Sequence, residues 1–148
     1  MIIYLLKRYY WLGLLLALLA PLWIRAASGN FDEFAPTKDA AKAKEFYVGQ
    51  LGLEFVSDDE YALVLSANGN MIRIIKGADF KPAHYTVLGW EVKNIESIAA
   101  GLRARGIAFE QYPFIQNKEL GIWTTPDGSK VAWFKDPDGN VLSISEHV

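Results

Sequence analysis

The sequence predicts an α+β domain built from two similar βαβββ halves, with an apolar segment ahead of it. Three observations lead there: an internal repeat, two amphipathic helices of matching length, and strands whose apolar residues alternate. Asn68-Gly69-Asn70-Met71-Ile72-Arg73-Ile74-Ile75 aligns with Asp138-Gly139-Asn140-Val141-Leu142-Ser143-Ile144-Ser145, each a tight turn followed by an alternating strand. Upstream, Thr37-Lys38-Asp39 through Leu51-Gly52-Leu53-Glu54-Phe55 aligns with Val92-Lys93-Asn94 through Arg105-Gly106-Ile107-Ala108-Phe109. Both stretches read as a strand end, a capping Asp or Asn, a helix of about three turns and a glycine that stops it.

In the first half, strands are expected at Phe31–Thr37, Leu53–Val56, Tyr61–Leu65 and Met71–Ile75. The helix between the first two gathers Ala43, Phe46, Tyr47 and Leu51 on one face and turns Lys42, Lys44 and Glu45 outward. Lys76–Pro82 links the halves. The second half reads as strands at Tyr85–Val92, Ile107–Gln111, Val131–Lys135 and Val141–Ser145, with an extra short piece, Gly121–Thr125, before the Pro126-Asp127-Gly128 turn. Its helix gathers Ile95, Ile98, Ala99 and Leu102. Alternation assigns Leu88, Trp90, Val92, Ala132, Phe134, Leu142 and Ile144 to the core. The opposite face then carries Tyr85, Val87, Gly89, Glu91, Val131, Trp133, Lys135, Val141, Ser143 and Ser145, with Met71, Arg73 and Ile75 from the first half.

Residues 1–28 stand apart. Lys7 and Arg8 precede sixteen uncharged residues, Tyr9 to Ile24; Arg25 and Ala26-Ala27-Ser28-Gly29 follow, and no carboxylate occurs before Asp32. This pattern reads as a signal peptide, with Ala26 and Ser28 spaced for cleavage before Gly29, or as a transmembrane anchor. The stretch is longer than a signal core of about 7–15 residues and shorter than the roughly 20 of a span. In either case the domain, residues 29–148, is expected outside the cytoplasm, exported or anchored to the membrane through residues 1–25. The alternative is a start codon placed too far upstream, which leaves the domain cytoplasmic.

The 148 residues are 51% hydrophobic and 22% charged, enough for one ordinary core and incompatible with disorder. A net charge of −2 gives no electrostatic footprint for nucleic acid. The absence of cysteine excludes disulfides, thiolate catalysis and thiolate-bound zinc. With only His84, in the linker region, and His147, at the terminus, a multi-histidine metal cluster is excluded as well.

Two segments carry a resemblance to a known family. Asp39-Ala40-Ala41-Lys42-Ala43-Lys44-Glu45-Phe46-Tyr47 with Leu51-Gly52-Leu53 is the first, and Phe134-Lys135-Asp136-Pro137-Asp138-Gly139-Asn140 the second. With them the chain resembles the vicinal oxygen chelate (VOC) superfamily of glyoxalase I, bleomycin resistance proteins and extradiol dioxygenases. The likeness covers roughly residues 31–147. It implies that the paired modules form a curved mixed sheet around a cavity. It also implies that metal-dependent members hold their ion at mid-strand positions, which carried over onto this chain are Asp32, Arg73, Val87 and Ser143. One carboxylate, one guanidinium, one aliphatic group and one hydroxyl do not make a divalent-metal site, and Arg73 brings a permanent positive charge. No metal and no cofactor are therefore expected.

The ligand-binding candidates are Asp32, Arg73, Val87, Glu91, Trp133 and Ser143. An aromatic and aliphatic lining with a few polar groups suits a small molecule. Arg73 would clamp an anion and Trp133 stack on a planar group. Each also has an ordinary reading: Arg73 as a surface charge, Trp133 as core, Ser143 as a merely small residue. The reading preferred on sequence is a metal-independent VOC-fold binding protein whose ligand is small, partly aromatic and anionic. No nucleophile–base–orienter triad can be assembled, so no catalytic residue is assigned. The alternatives are a glyoxalase-like lyase or dioxygenase-related enzyme that has lost the usual metal site, with acid–base work by Asp32 or Glu91, and an interaction module tethered by residues 1–25. Besides the small molecule, the partner considered is a second copy of the chain, as a homodimer.

Overall fold

A computed structural model describes residues 33–77 and 79–148. The apolar segment 1–28 and Asp32 lie outside the described residues. The first half runs β1 (Glu33–Thr37), α1 (Ala40–Lys44, continued by a wider turn over Glu45–Gln50), β2 (Glu54–Asp58), β3 (Ala62–Ala67) and β4 (Asn70–Lys76). The second runs β5 (Thr86–Glu91), α2 (Ile95–Ala104), β6 (Ile122–Thr124), β7 (Lys130–Lys135) and β8 (Val141–Glu146). Each half forms a four-stranded mixed sheet, ordered β1-β4-β3-β2 and β5-β8-β7-β6. The outer strand is parallel to the last strand of its half, and the other pairs are antiparallel. The repeat read in the sequence is thus a repeat of topology. Each half contributes its own mixed sheet, as the paired modules of the resemblance imply, and the edge strands β1 and β5 lie against each other without a shared ladder. Pro36, with no N–H to donate, suits such an edge position.

Capping explains where the helices begin. Asp39 accepts the Lys42 N–H at 3.1 Å, and Asn94, at φ 59°, accepts that of Ser97 at 3.2 Å. The last turn of the first helix widens, with Leu51 N–H donating to Phe46 O five residues back at 2.9 Å. Phe46 and Tyr47 both point inward from this turn and are buried. Leu63, Leu65, Ile72 and Ile74 of the first sheet join Leu88, Trp90, Ala132, Phe134, Leu142 and Ile144 of the second in one continuous core. Among the described residues no helix is long and apolar enough to cross a membrane.

The two segments that carried the family likeness bind each other. Asp138, in the turn between β7 and β8, accepts the Thr37 hydroxyl at 2.5 Å and the Lys38 N–H at 2.9 Å, at the start of the first helix. Asp136 is 6% exposed and accepts four donors: the Tyr47 hydroxyl (2.7 Å), Asn140 Nδ2 (2.7 Å), and the N–H groups of Asn140 (2.9 Å) and Asp138 (3.0 Å). Asn140 Nδ2 also donates to Pro36 O at 2.7 Å. A buried carboxylate must be satisfied in this way, so the turn closes one half onto the other.

One predicted strand is corrected. Ile107–Gln111 does not form a strand; only Phe109 bridges to Phe134, and Glu110 N–H reaches Trp133 O at 2.7 Å. The chain then leaves at Gln111-Tyr112-Pro113 and returns at Ile122–Thr124, which pair with Ala132–Lys130. Pro113 lacks the N–H a ladder needs. The piece read as an extra strand therefore takes most of the edge position that β2 fills in the first half.

Candidate functional site

The face of the second sheet turned away from the core is built in rows. Gly89, Ser143 and Trp133 are neighbours across β5, β8 and β7. The next row is Glu91, Ser145, Val131 and Trp123. Trp133 and Ser143 are thus brought into direct cross-strand pairing, and Glu91 lies one row away, exposed. Val87 falls at a register shift between Thr86 and Leu88, so Ser143 has Gly89 as its β5 neighbour. A Cβ on Gly89 would approach Ser143 Oγ to 2.9 Å, so the glycine is what lets the buried Ser143 hydroxyl pack this close to β5.

Arg73 stands on the other sheet, half-buried, between Phe34 of β1 and Val64 of β3. By the repeat, Phe34–Arg73–Val64 corresponds to Gly89–Ser143–Trp133, so Phe34 and Arg73 stand where the second row has its two small residues, and Val64 stands where it has Trp133. Arg73 also adds to the forces that hold the Asp59 carboxyl below its ordinary range, after the N–H groups of Ala62 and Tyr61 and the Lys76 ammonium. Asp59 is exposed, so this is a surface attraction and Arg73 is its weakest source.

Three aromatic residues beyond the sequence candidates join Trp133. Tyr112 and Phe114, from the loop that replaces the expected strand, stack on each other at 5.4 Å and 17°. Both meet Trp133 edge-on, at 5.7 Å and 6.0 Å. Trp123 lies nearly parallel to Trp133 at 6.0 Å and contacts Phe114 at 5.5 Å. These are ordinary aromatic packing geometries. The only local hint of the cluster was the density of aromatics between Tyr112 and Trp133. No periodic pattern links them, because the rings meet across a loop. At the rim, Glu110 and Lys135 neutralise each other at 3.1 Å.

Val87, Ser143 and Arg73 offer one hydroxyl between them, and among the described residues no three His, Cys, Asp or Glu side chains lie close enough to share an ion. These residues do not fit a divalent cation. The strongest displaced proton equilibrium lies elsewhere: burial, with the Asp136 charge and hydrogen bond, pushes the Tyr47 phenol far above its ordinary value.

Comparison with known proteins bears on the fold. The family model described as the Glyoxalase/Bleomycin resistance protein/Dioxygenase superfamily matches residues 30–144. A solved glyoxalase/bleomycin resistance protein/dioxygenase from Alicyclobacillus acidocaldarius is 18% identical, with TM-score 0.65, over 84% of this chain and 95% of its own. A lactoylglutathione lyase from Agrobacterium tumefaciens is 17% identical, with TM-score 0.63, over 82% of this chain and 96% of its own. TnmS3, an antibiotic-binding protein from Streptomyces sp. CB03234, is 24% identical, with TM-score 0.63, over 84% of this chain and 99% of its own. No curated protein sequence matches the chain. At these identities the likeness speaks for architecture, and a lyase and a binding protein share it equally.

Proposed function

The chain belongs to the glyoxalase/bleomycin resistance protein/dioxygenase superfamily, and from that premise we propose that it is a metal-independent binding protein for a small, partly aromatic, anionic molecule. One observation carries the reading: where metal-dependent relatives would need donors, the mid-strand residues are Arg73, Val87 and Ser143, while Trp133 stands directly beside Ser143. A guanidinium favours a carboxylate or phosphate over a cation, and an indole beside small residues favours a flat group. The same fold in an antibiotic-binding protein supports a role in binding. Residues 1–28 are proposed to carry the domain out of the cytoplasm, which fractionation of the producing cells and N-terminal sequencing would test.

The binding test is calorimetric titration of the wild type and Arg73→Met with benzoate, benzamide and benzylamine. If the ligand supplies the partner of Arg73, removing the guanidinium costs about 2–5 kcal/mol for benzoate alone. Equal affinity for all three compounds, or no effect of the substitution, would leave Arg73 a structural partner of Asp59. Elemental analysis finding close to one Ni, Zn, Mn or Fe per chain, lost with Asp32→Ala, would overturn the metal-independent reading.

A further inference from the structure

We propose that β2 is a docking edge for a short extended peptide carrying basic residues, which adds to the first sheet as a fifth strand. This edge is opposite β1 in the first sheet, and none of the small-molecule candidates lies on it. The two sheets end differently. In the second, β6 is three residues long and its outer side is occupied. Asn117 and Ile122 exchange backbone hydrogen bonds at 3.2 and 3.1 Å, and Gln116 brackets Thr124 through its side chain at 3.3 and 3.0 Å. In the first, β2 pairs with β3, and among the described residues no strand or bridge lies beyond it. Every residue of Glu54–Asp58 is exposed, Phe55 at 41% and Val56 at 52%. The loop that closes one edge has no counterpart at the other.

An open edge keeps hydrogen-bonding groups for a further strand. In an antiparallel pair alternate residues turn N–H and C=O away from the partner, and at an edge those groups meet only water. A strand of five residues presents them along roughly 17 Å, room for a partner of about five to seven residues. The strand is held in place to receive one. Phe55 lies under the Lys44 ammonium at 3.9 Å, and Lys76 Nζ donates to Asp58 Oδ1 at 2.5 Å, so β2 is tied to α1 and to β4. The bulge between Phe55 and Ser57 leaves Val56 without an opposite residue on β3. It also adds twist, which a short segment follows and a long flat strand does not.

Charge selects the occupant. No Lys or Arg occurs from Glu45 to Ile72, whereas Glu45, Glu54, Asp58, Asp59 and Glu60 all do. Lys76 offsets Asp58, and Glu54 and Glu60 stand exposed towards the two ends of the stretch. A second copy fits badly. Antiparallel pairing centred on Val56 sets Glu54 opposite Asp58 of the other copy, and pairing centred on Ser57 sets it opposite Glu60. Like charges directly opposite destabilise a ladder. A strand with a basic residue near each end and a β-branched middle turns that repulsion into attraction, while its backbone supplies the ladder.

Amide NMR of the full chain tests this with three acetylated and amidated peptides. They are Thr-Lys-Val-Thr-Val-Lys-Thr, the same peptide with Glu for both Lys, and the Lys peptide N-methylated throughout its Val-Thr-Val centre. The last keeps every charge and side chain but cannot continue a ladder. The Lys peptide should shift the amides of residues 54–58, slow their hydrogen exchange and leave Ser143 and Trp133 unmoved. It should bind roughly tenfold more tightly than the Glu peptide, the difference expected from two cross-strand charge pairs changing sign. Glu54→Gln combined with Glu60→Gln, both at exposed sites, should bring the two peptides close to equal affinity. Several results would overturn the docking edge. One is no shift at residues 54–58 up to about 5 mM peptide, weaker than any useful affinity. Another is equal binding of the N-methylated peptide, which would mean adhesion by charge alone, and a third is equal binding of the Glu peptide by the wild type. Protection of these amides that rises with protein concentration, without peptide, would instead give the edge to a second copy.

Discussion

Tyr47→Phe is the sharpest test of how the two halves are joined. Tyr47 is fully buried, and its hydroxyl gives Asp136 one of four hydrogen bonds, at 2.7 Å. Removing the oxygen leaves the ring packing in place and takes one donor from a buried carboxylate, a change worth about 1.5–3 kcal/mol for a bond to a charged group. For a domain of this size that lowers the melting temperature by roughly 5–12 °C. The effect also has a pH signature. The folded phenol sits far above its ordinary value of 10.0, whereas in the unfolded chain it ionises normally. Its stabilisation is therefore complete below about pH 10 and declines above it by about 1.4 kcal/mol per pH unit, because only the unfolded chain releases the proton. The phenylalanine variant lacks this loss, and every other titrating group is common to both proteins. Urea unfolding at neutral pH and again at about pH 11 should therefore show the gap between them shrinking at the higher pH. A gap under about 0.5 kcal/mol at neutral pH, or one that stays constant between the two conditions, would refute the role given to this hydrogen bond.

Asp138→Ala should cost about 1–2 kcal/mol in urea unfolding, and a double-mutant cycle with Thr37→Val should show the two losses to be less than additive, since they remove one shared contact. Gly121→Ala should destabilise by about 1–3 kcal/mol or more, because Gly121 lies at φ 70° and a Cβ there would meet Phe109 Cβ at 2.6 Å; a melt unchanged from wild type would contradict that geometry. Gly89→Ala should be milder and should be relieved by Ser143→Ala, since the obstruction is the Ser143 hydroxyl. Glu96 is held below its ordinary value mainly by its hydrogen bond from Lys130, so its contribution is present above about pH 4.5 and is lost as the pH falls through its folded value. The difference between wild type and Glu96→Gln should accordingly be small and salt-sensitive at neutral pH and vanish in acid.

What was legible in the sequence is what has local periodicity. The two turn-and-strand repeats and the Asp39 and Asn94 caps follow from spacing within a few residues, whereas in β8 the alternation is one of direction and not of burial, since Val141 and Ser143 are buried with Leu142 and Ile144. Ile107–Gln111 misled because its apolar content satisfies a strand, and the departure at Pro113 depends on β6 competing for the same partner positions on β7. The aromatic cluster was only partly anticipated, through Trp133, because Tyr112, Phe114 and Trp123 reach it through a loop. The joining of the halves left no local trace either: Asp138 and Thr37 are 101 residues apart. Of the site residues, Trp133 and Ser143 could be paired by counting from the turn, whereas the neighbour of Ser143 could not, since the register shift at Val87 makes it Gly89.

The closure of Asp136, Asp138 and Asn140 onto the first helix also has a consequence for how the chain comes into being. The first helix is anchored by the turn between the last two strands of the second half, so its start and its buried tyrosine stay unpartnered until residues 136–140 are available. During synthesis the first half therefore waits for the second, and the two are expected to acquire their structure together in one late, cooperative step dominated by contacts distant in sequence. Cutting the chain within the 76–82 linker should likewise yield two fragments that are unstable alone and recover structure when mixed.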